Sequence, residues 1–114
     1  MSIKHDQLRE VGIDWLQNQG FNDIEVKVKI PNHSGKNYKG GRGGEHLRKP
    51  YYAIDIVGRK EGKKVVMECG GSKSIKLDNL LGEFNEVWVL PYGEAEPFQW
   101  KMGMELCQNC GHIV

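Results

Sequence analysis

The stretch Tyr51–Gly70, YYAIDIVGRKEGKKVVMECG, decides the architecture. Tyr51–Val57 is apolar on both faces except for Asp55, the segment 60–63 (KEGK) is a turn signal, and Lys64–Cys69 is a second run carrying Val65, Val66 and Met67. Two such runs around a short glycine-containing turn form a β-hairpin. A strand that is apolar on both faces lies in the middle of a sheet, where a lone carboxylate is costly unless it is paired or bound to a metal. Glu68, at the end of the second run, can meet Asp55 across the hairpin. Two acids so placed can share one divalent cation.

Outward from the hairpin, residues 4–19 set Leu8, Val11, Trp15 and Leu16 at helical spacing, with Lys4, Arg9, Gln17 and Gln19 on other faces. Gly20 stops this helix. Glu10 and Asp14, four residues apart, lie near the edge of its apolar stripe. From Asp23 to Ile30 the chain alternates strictly, which places Ile24, Val26, Val28 and Ile30 on one face of a half-buried strand ended by Pro31. Beyond the hairpin, Ile75, Leu77, Leu80, Leu81 and Phe84 give a second helix over 75–84, and Glu86–Leu90 is a short buried strand closed by Pro91. The order helix, strand, hairpin, helix, strand predicts an α/β domain with a mixed central β-sheet flanked by helices. At 114 residues the chain is one domain. Residues 1–92 form its core, and 93–114 form a C-terminal extension of the same domain, with a short helix or strand around Phe98–Leu106.

Hydrophobic residues are 39% and charged residues 27% of the chain, which excludes disorder throughout. No apolar run approaches the roughly 20 residues that span a bilayer, and the start MSIKHDQLRE lacks the apolar core of a signal peptide. A cytoplasmic protein with no membrane partner is expected. The net charge of +1 hides a division. Lys36, Lys39, Arg42, Arg48, Lys49, Arg59, Lys60, Lys63, Lys64, Lys73 and Lys76 crowd the middle of the chain against four acids, whereas six acids after residue 77 face Lys101 alone. Basic residues release counterions from a phosphate backbone, so the middle suits DNA. Residues 32–49, NHSGKNYKGGRGGEHLRK, read as a long Gly-rich loop in which Lys36, Lys39, Arg42, Arg48 and Lys49 supply the charge. A solvated linker is the other reading of that loop.

Paired acids on neighbouring strands ahead of a helix are what metal-dependent phosphodiester hydrolysis requires. In order of elements, residues 4–92 resemble the PD-(D/E)xK nucleases, the superfamily of restriction endonucleases and archaeal-type Holliday-junction resolvases. The resemblance implies a restriction endonuclease-like core and a Mg²⁺- or Mn²⁺-dependent endonuclease acting on DNA, with Asp55 and Glu68 as metal ligands. It implies that Glu10, with Asp14 as its rival, matches a helix glutamate that some members add. The sequence departs from the motif at Glu68-Cys69-Gly70, where glycine stands in place of lysine. Lys73 and Lys76 are the substitutes available at the entrance to the next helix. A nuclease this small would cut both strands of a duplex as a homodimer. The missing lysine equally suits a non-catalytic nucleic-acid or protein-binding module on the same fold.

Cys69, Cys107 and Cys110 are an odd set in which disulfides are not expected. Cys107-Gln108-Asn109-Cys110-Gly111-His112 has the spacing of half a zinc ribbon, since thiolates two residues apart bite one Zn²⁺. His112, Cys69, His46 or a partner subunit are its candidate further ligands, and a pair of reduced thiols is the alternative. Cys69 reads as a buried strand residue, and His5 and His33 as surface residues.

Overall fold

The computed structural model describes residues 3–31 and 51–114. Its elements are α1 (Ile3–Asn18), β1 (Asn22–Pro31), β2 (Tyr51–Lys60), β3 (Lys63–Cys69), α2 (Ser74–Leu81), β4 (Glu86–Leu90) and β5 (Phe98–Gln99). They form a five-stranded mixed sheet in the order β1-β2-β3-β4-β5 with two helices, an α/β domain as the order of elements predicts. The Gly-rich loop lies outside the described residues, and with it Lys36, Lys39, Arg42, Arg48, Lys49, His33 and His46. No helix among the described residues is long and apolar enough to cross a membrane.

β2 and β3 pair antiparallel, from Ile56↔Met67 to Lys60↔Lys63. The two-residue turn between them, Glu61-Gly62, has φ of 51° and 82°. Positive φ at both positions gives the tight turn whose twist matches that of the strands, and glycine at the second adopts it without strain. Val65–Cys69 of β3 are all buried, because this strand is central: β4 pairs with it in parallel, from Val65↔Glu86 to Cys69↔Leu90. α2 makes the crossover between them, as a parallel pair requires.

The helices divide the core in two. On one face Ile54, Val57, Val66, Val87 and Val89 meet Leu77 and Leu80 of α2. On the other, Ile56, Val65, Met67, Cys69 and Leu90 meet Leu8 and Leu16 of α1. Gly12 lets α1 lie close, since a Cβ there would come within 2.8 Å of the Met67 sulfur and 2.9 Å of Ile56 Cδ1. The seam is therefore Leu8, Gly12 and Leu16. Val11, expected in it, is 36% exposed, and Arg9, expected on another face, is buried. The extension after residue 92 adds β5 to the sheet and contributes Trp100 to the α2-side core. On α2, Leu77 and Leu80 are buried as expected, but Ile75 is 50% exposed.

β1 departs from the alternation read in its sequence. Ile24 packs on the α1 side, Val28 and Ile30 pack on the α2 side, and Val26 is exposed. The cause is a backbone irregularity at Lys27, whose φ is +54°. β2 switches in the same way, since Ile54 and Ile56, two residues apart, enter opposite cores. Val26 pairs with Ile56 and Val28 with Ile54, so the break falls at Lys27 on one strand and Asp55 on the other. A left-handed conformation at a non-glycine residue costs roughly 1–2 kcal/mol. The register itself runs unshifted from Glu25↔Val57 to Pro31↔Tyr51, and the shift in this ladder lies between Asn22 and Glu25.

Candidate functional site

The last backbone pair of the β2–β3 ladder at its open end is Ile56↔Met67. One step further the two acids take over. The Cys69 N–H donates to Asp55 Oδ2 at 2.8 Å, and the Asp55 N–H donates to Glu68 Oε2 at 3.3 Å. Each carboxylate thus satisfies an amide on the opposite strand with one oxygen. Its second oxygen turns to a side chain from a helix. Glu68 Oε1 accepts from Lys76 Nζ of α2 at 3.0 Å, and Asp55 Oδ1 lies 3.4 Å from His5 Nε2 of α1. The hairpin brings Asp55 and Glu68 together as the sequence suggested, and the two helices supply the rest.

Gly70 explains the missing lysine. Its φ is +79°, and a Cβ there would meet the Tyr92 ring at 2.5 Å. Any side chain there is strained by the backbone and has to push the Tyr92 ring aside. The ammonium arrives instead from the first turn of α2, where Lys76 Nζ also donates to the Ala53 carbonyl at 2.8 Å. Lys73, the rival candidate, is the exposed residue capping that helix. Lys73 precedes the first helical residue with an extended backbone, φ −86° and ψ 137°, so its side chain does not follow the helical path that carries Lys76 to Glu68.

α1 presents His5 and Arg9, four residues apart on the face toward the sheet. Arg9 donates to His5 Nδ1 at 3.3 Å and to Asp6 Oδ1 at 2.7 Å. A guanidinium can only donate, so His5 Nδ1 accepts and the ring proton sits on Nε2, toward Asp55. His5, read from the sequence as a surface residue, is thereby part of the site. Glu10 and Asp14 lie on the exposed side of α1. The i, i+4 spacing of His5 and Arg9 is the signal in the sequence, and counting Val11 into the apolar stripe hides it.

Glu68 is the group whose chemistry the fold alters most. It is 4% exposed. Burial lifts its carboxyl from an ordinary 4.5 to about 7; Lys76 opposes the rise and the Asp55 charge adds to it. Between those two values the folded protein holds a proton that the unfolded chain has released, so this carboxyl's contribution to stability falls as pH rises from about 4.5 through about 7. In chelator, wild type is expected to lose stability between pH 5 and pH 8 relative to Glu68→Gln, as read by urea denaturation at the two pH values. A parallel response of the two proteins would show that Glu68 is not the titrating group. Cys69, beside both acids, is 3% exposed. Burial, and then the charges of Asp55 and Glu68, push its thiol far above the usual range, so it remains a protonated core residue.

Among the described residues no three His, Cys, Asp or Glu side chains gather as a metal-binding group. Two carboxylates nonetheless suit Mg²⁺ or Mn²⁺, because Mg²⁺ is commonly held by one or two carboxylates with water and substrate phosphate completing its shell. A buried acid carrying a proton up to about pH 7 is also a group that a dication would discharge. At the C-terminal knuckle, the Cys110 side chain and then the Asn109 and Cys110 amides hydrogen-bond the Cys107 sulfur and hold its thiol below the ordinary range. His112 does not join the two cysteines: its Nε2 lies 3.3 Å from Glu94 Oε2.

A cleft of about 390 Å³ lies at the turn end of the hairpin, away from the carboxylates, and is lined by Trp15, Phe21, Lys60, Lys63, Glu86 and Trp88. Four of its polar side chains are already hydrogen-bonded. Lys63 and the Trp88 indole both bond Glu86, at 3.0 and 2.9 Å, and Lys60 bonds the Gln19 carbonyl at 2.7 Å. The titratable cluster at Asp55 and Glu68 has the chemistry, and this cleft does not. Comparisons of the chain with protein-family models, with curated proteins and with solved structures found no match.

Proposed function

We propose that the protein is a metal-dependent nuclease of the PD-(D/E)xK type, in which Asp55 and Glu68 hold Mg²⁺ or Mn²⁺ and Lys76 serves as the motif's lysine. The observation that carries this reading is the Lys76 ammonium 3.0 Å from Glu68, delivered from α2, while Gly70 has a positive φ and packs against the Tyr92 ring. The element order of a restriction endonuclease-like core, helix, strand, hairpin, helix, strand, supports it. A cation at the two carboxylates supplies Lewis acidity toward a phosphodiester and its attacking water. Lys76 adds a fixed positive charge where negative charge builds on phosphorus-bound oxygen. His5, oriented by Arg9, keeps Asp55 turned into the site. The basic middle of the chain favours DNA as the substrate. Incubation with Mg²⁺ or Mn²⁺ is expected to nick branched, duplex or single-stranded DNA, and Asp55→Ala to abolish the nicking. If all three substrates stay intact with wild type, the catalytic reading fails.

A second reading is a non-catalytic binding module on the same fold. It is favoured by one feature: both carboxylates are already engaged by backbone amides, Lys76 and His5. It predicts salt-sensitive DNA binding that Asp55→Ala leaves unchanged and that neutralising Lys36, Lys39 and Arg42 weakens.

A further inference from the structure

We propose that the cleft at the turn end of the hairpin is a stacking site for unpaired DNA bases, where the protein holds a single-stranded stretch of nucleic acid. The cleft carries no reactive group, and stacking needs none. It needs flat aromatic surfaces held still, with cations beside them for the phosphates. Both are present. Trp15 of α1 and Trp88 of β4 have ring centroids 5.0 Å apart and planes inclined by 48°, and Phe21 lines the same cleft. Rings inclined in this way do not cover each other face to face, and both tryptophans are only partly buried. Each keeps surface for a third ring.

Trp88 is fixed by its edge. Its indole N–H donates to Glu86 Oε1 at 2.9 Å, and the other oxygen of that carboxylate accepts from Lys63 Nζ at 3.0 Å. A platform held by such a chain has little freedom left to lose when a base lands on it, which favours a tight contact. The cations are fixed too. Lys60 Nζ lies 5.6 Å from the centre of the Phe21 ring and donates to the Gln19 carbonyl at 2.7 Å. An ammonium has three protons to donate, so Lys60 and Lys63 can each reach a phosphate without giving up these partners. Of the two acids in the lining, Glu86 is already neutralised by Lys63, and Glu61 is exposed at the turn. Bases inside a duplex have both faces covered by their neighbours, and only an unpaired base can offer one to a protein ring. That selects a single strand as the occupant.

The cleft also lies at a set distance from the paired carboxylates. His5 touches Asp55 and Trp15 lines the cleft ten residues further along α1, about 15 Å at the helical rise of about 1.5 Å. Along β2, Asp55 and Lys60 are five residues apart, about 17 Å at the strand rise of about 3.4 Å. The two measures agree. A stacked strand rises about 3.4 Å per nucleotide, so about five nucleotides, fewer when extended, separate a held base from a phosphodiester at Asp55 and Glu68. That consequence alone rests on the nuclease reading.

The test is a titration of the full chain, in chelator and without added metal, with an oligothymidylate of about ten nucleotides, a length within the usual single-strand site sizes. Anisotropy of a labelled strand reports binding, and tryptophan emission reports stacking. Trp100 is fully buried, so quenching arises from Trp15 and Trp88. Saturable quenching that coincides with binding is expected, and a duplex of the same length should bind much more weakly and quench little. Trp15→Leu keeps an apolar side chain and should weaken single-strand binding roughly ten- to a hundredfold, the usual loss for one stacked base. Trp15→Phe should retain most of it. The wild-type preference stands whether or not the variants fold. Binding without quenching, equal binding of the duplex, tighter binding of the corresponding RNA, or undiminished binding by folded Trp15→Leu would each overturn the proposal. So would self-association that buries both tryptophans in the absence of DNA. With no metal present, none of these outcomes depends on whether the protein cuts DNA.

Discussion

Lys76→Met is expected to lower cation-dependent DNA cleavage by roughly two to three orders of magnitude, the usual consequence of removing one preorganised group that faces developing charge. Lys73→Met should leave the rate unchanged. The contrast follows from placement: Lys76 Nζ is 3.0 Å from Glu68 and 2.8 Å from the Ala53 carbonyl, whereas Lys73 is exposed at the helix start. Lys76 also opposes the rise in the Glu68 carboxyl's pKa, so in its absence that carboxyl holds its proton to higher pH. Rates should accordingly be compared at saturating Mg²⁺ and at a pH well above 7, where both proteins present an ionised Glu68 to the cation. Equal loss in Lys73→Met and Lys76→Met would contradict the assignment. So would an unchanged rate in Lys76→Met.

Trp100→Ala is expected to cost about 3–5 kcal/mol, the range for emptying a fully buried aromatic site. Trp100 is 0% exposed in the α2-side core, its N–H donates to the Val87 carbonyl at 2.7 Å, and its indole Nε1 donates to Asp78 Oδ1 at 2.9 Å. The side chain therefore fastens α2 to the sheet through both packing and a hydrogen bond. Its loss leaves a cavity beside Leu77 and Leu80 and removes a partner from Asp78. Small domains have only about 5–15 kcal/mol in all, so the variant should unfold at much lower urea. Trp100→Phe keeps much of the packing and should cost less. Because α2 carries Lys76, loosening it should also blunt the Glu68–Lys76 pair, visible as a further rise of the Glu68 carboxyl's pKa.

Much of this was legible in the residues, and the exceptions have physical causes. The hairpin, the buried β4 and the burial of Cys69 follow from local alternation and turn chemistry, which act over a few residues. The pairing of Asp55 with Glu68 follows from the hairpin alone. The register of α1 did not follow, because Gly12 is neutral in an apolar count yet sits where the helix approaches the sheet most closely. Once Gly12 is placed in the seam, Arg9 turns inward and His5 comes with it, one turn away. The face switch of β1 was hidden for another reason: Lys27 stands in a strictly alternating run and nothing in its type announces a left-handed backbone. The choice between Lys73 and Lys76 rested on where α2 begins, which is set by the packing of Gly70 against Tyr92 and of Gly71 against the knuckle. A Cβ on Gly71 would overlap the Gln108 carbonyl. Contacts between segments nearly 40 residues apart leave no periodic trace.

The most direct test of the paired carboxylates is Mn²⁺ binding, followed by the loss of the free-ion paramagnetic resonance signal at pH 8. One ion per chain is expected at the Asp55–Glu68 site, lost in Asp55→Asn and in Glu68→Gln and weakening as pH falls below about 7, where Glu68 takes up its proton. Mn²⁺ that fails to bind wild type, or that binds both variants as it binds wild type, would contradict a cation site at the mouth of the hairpin.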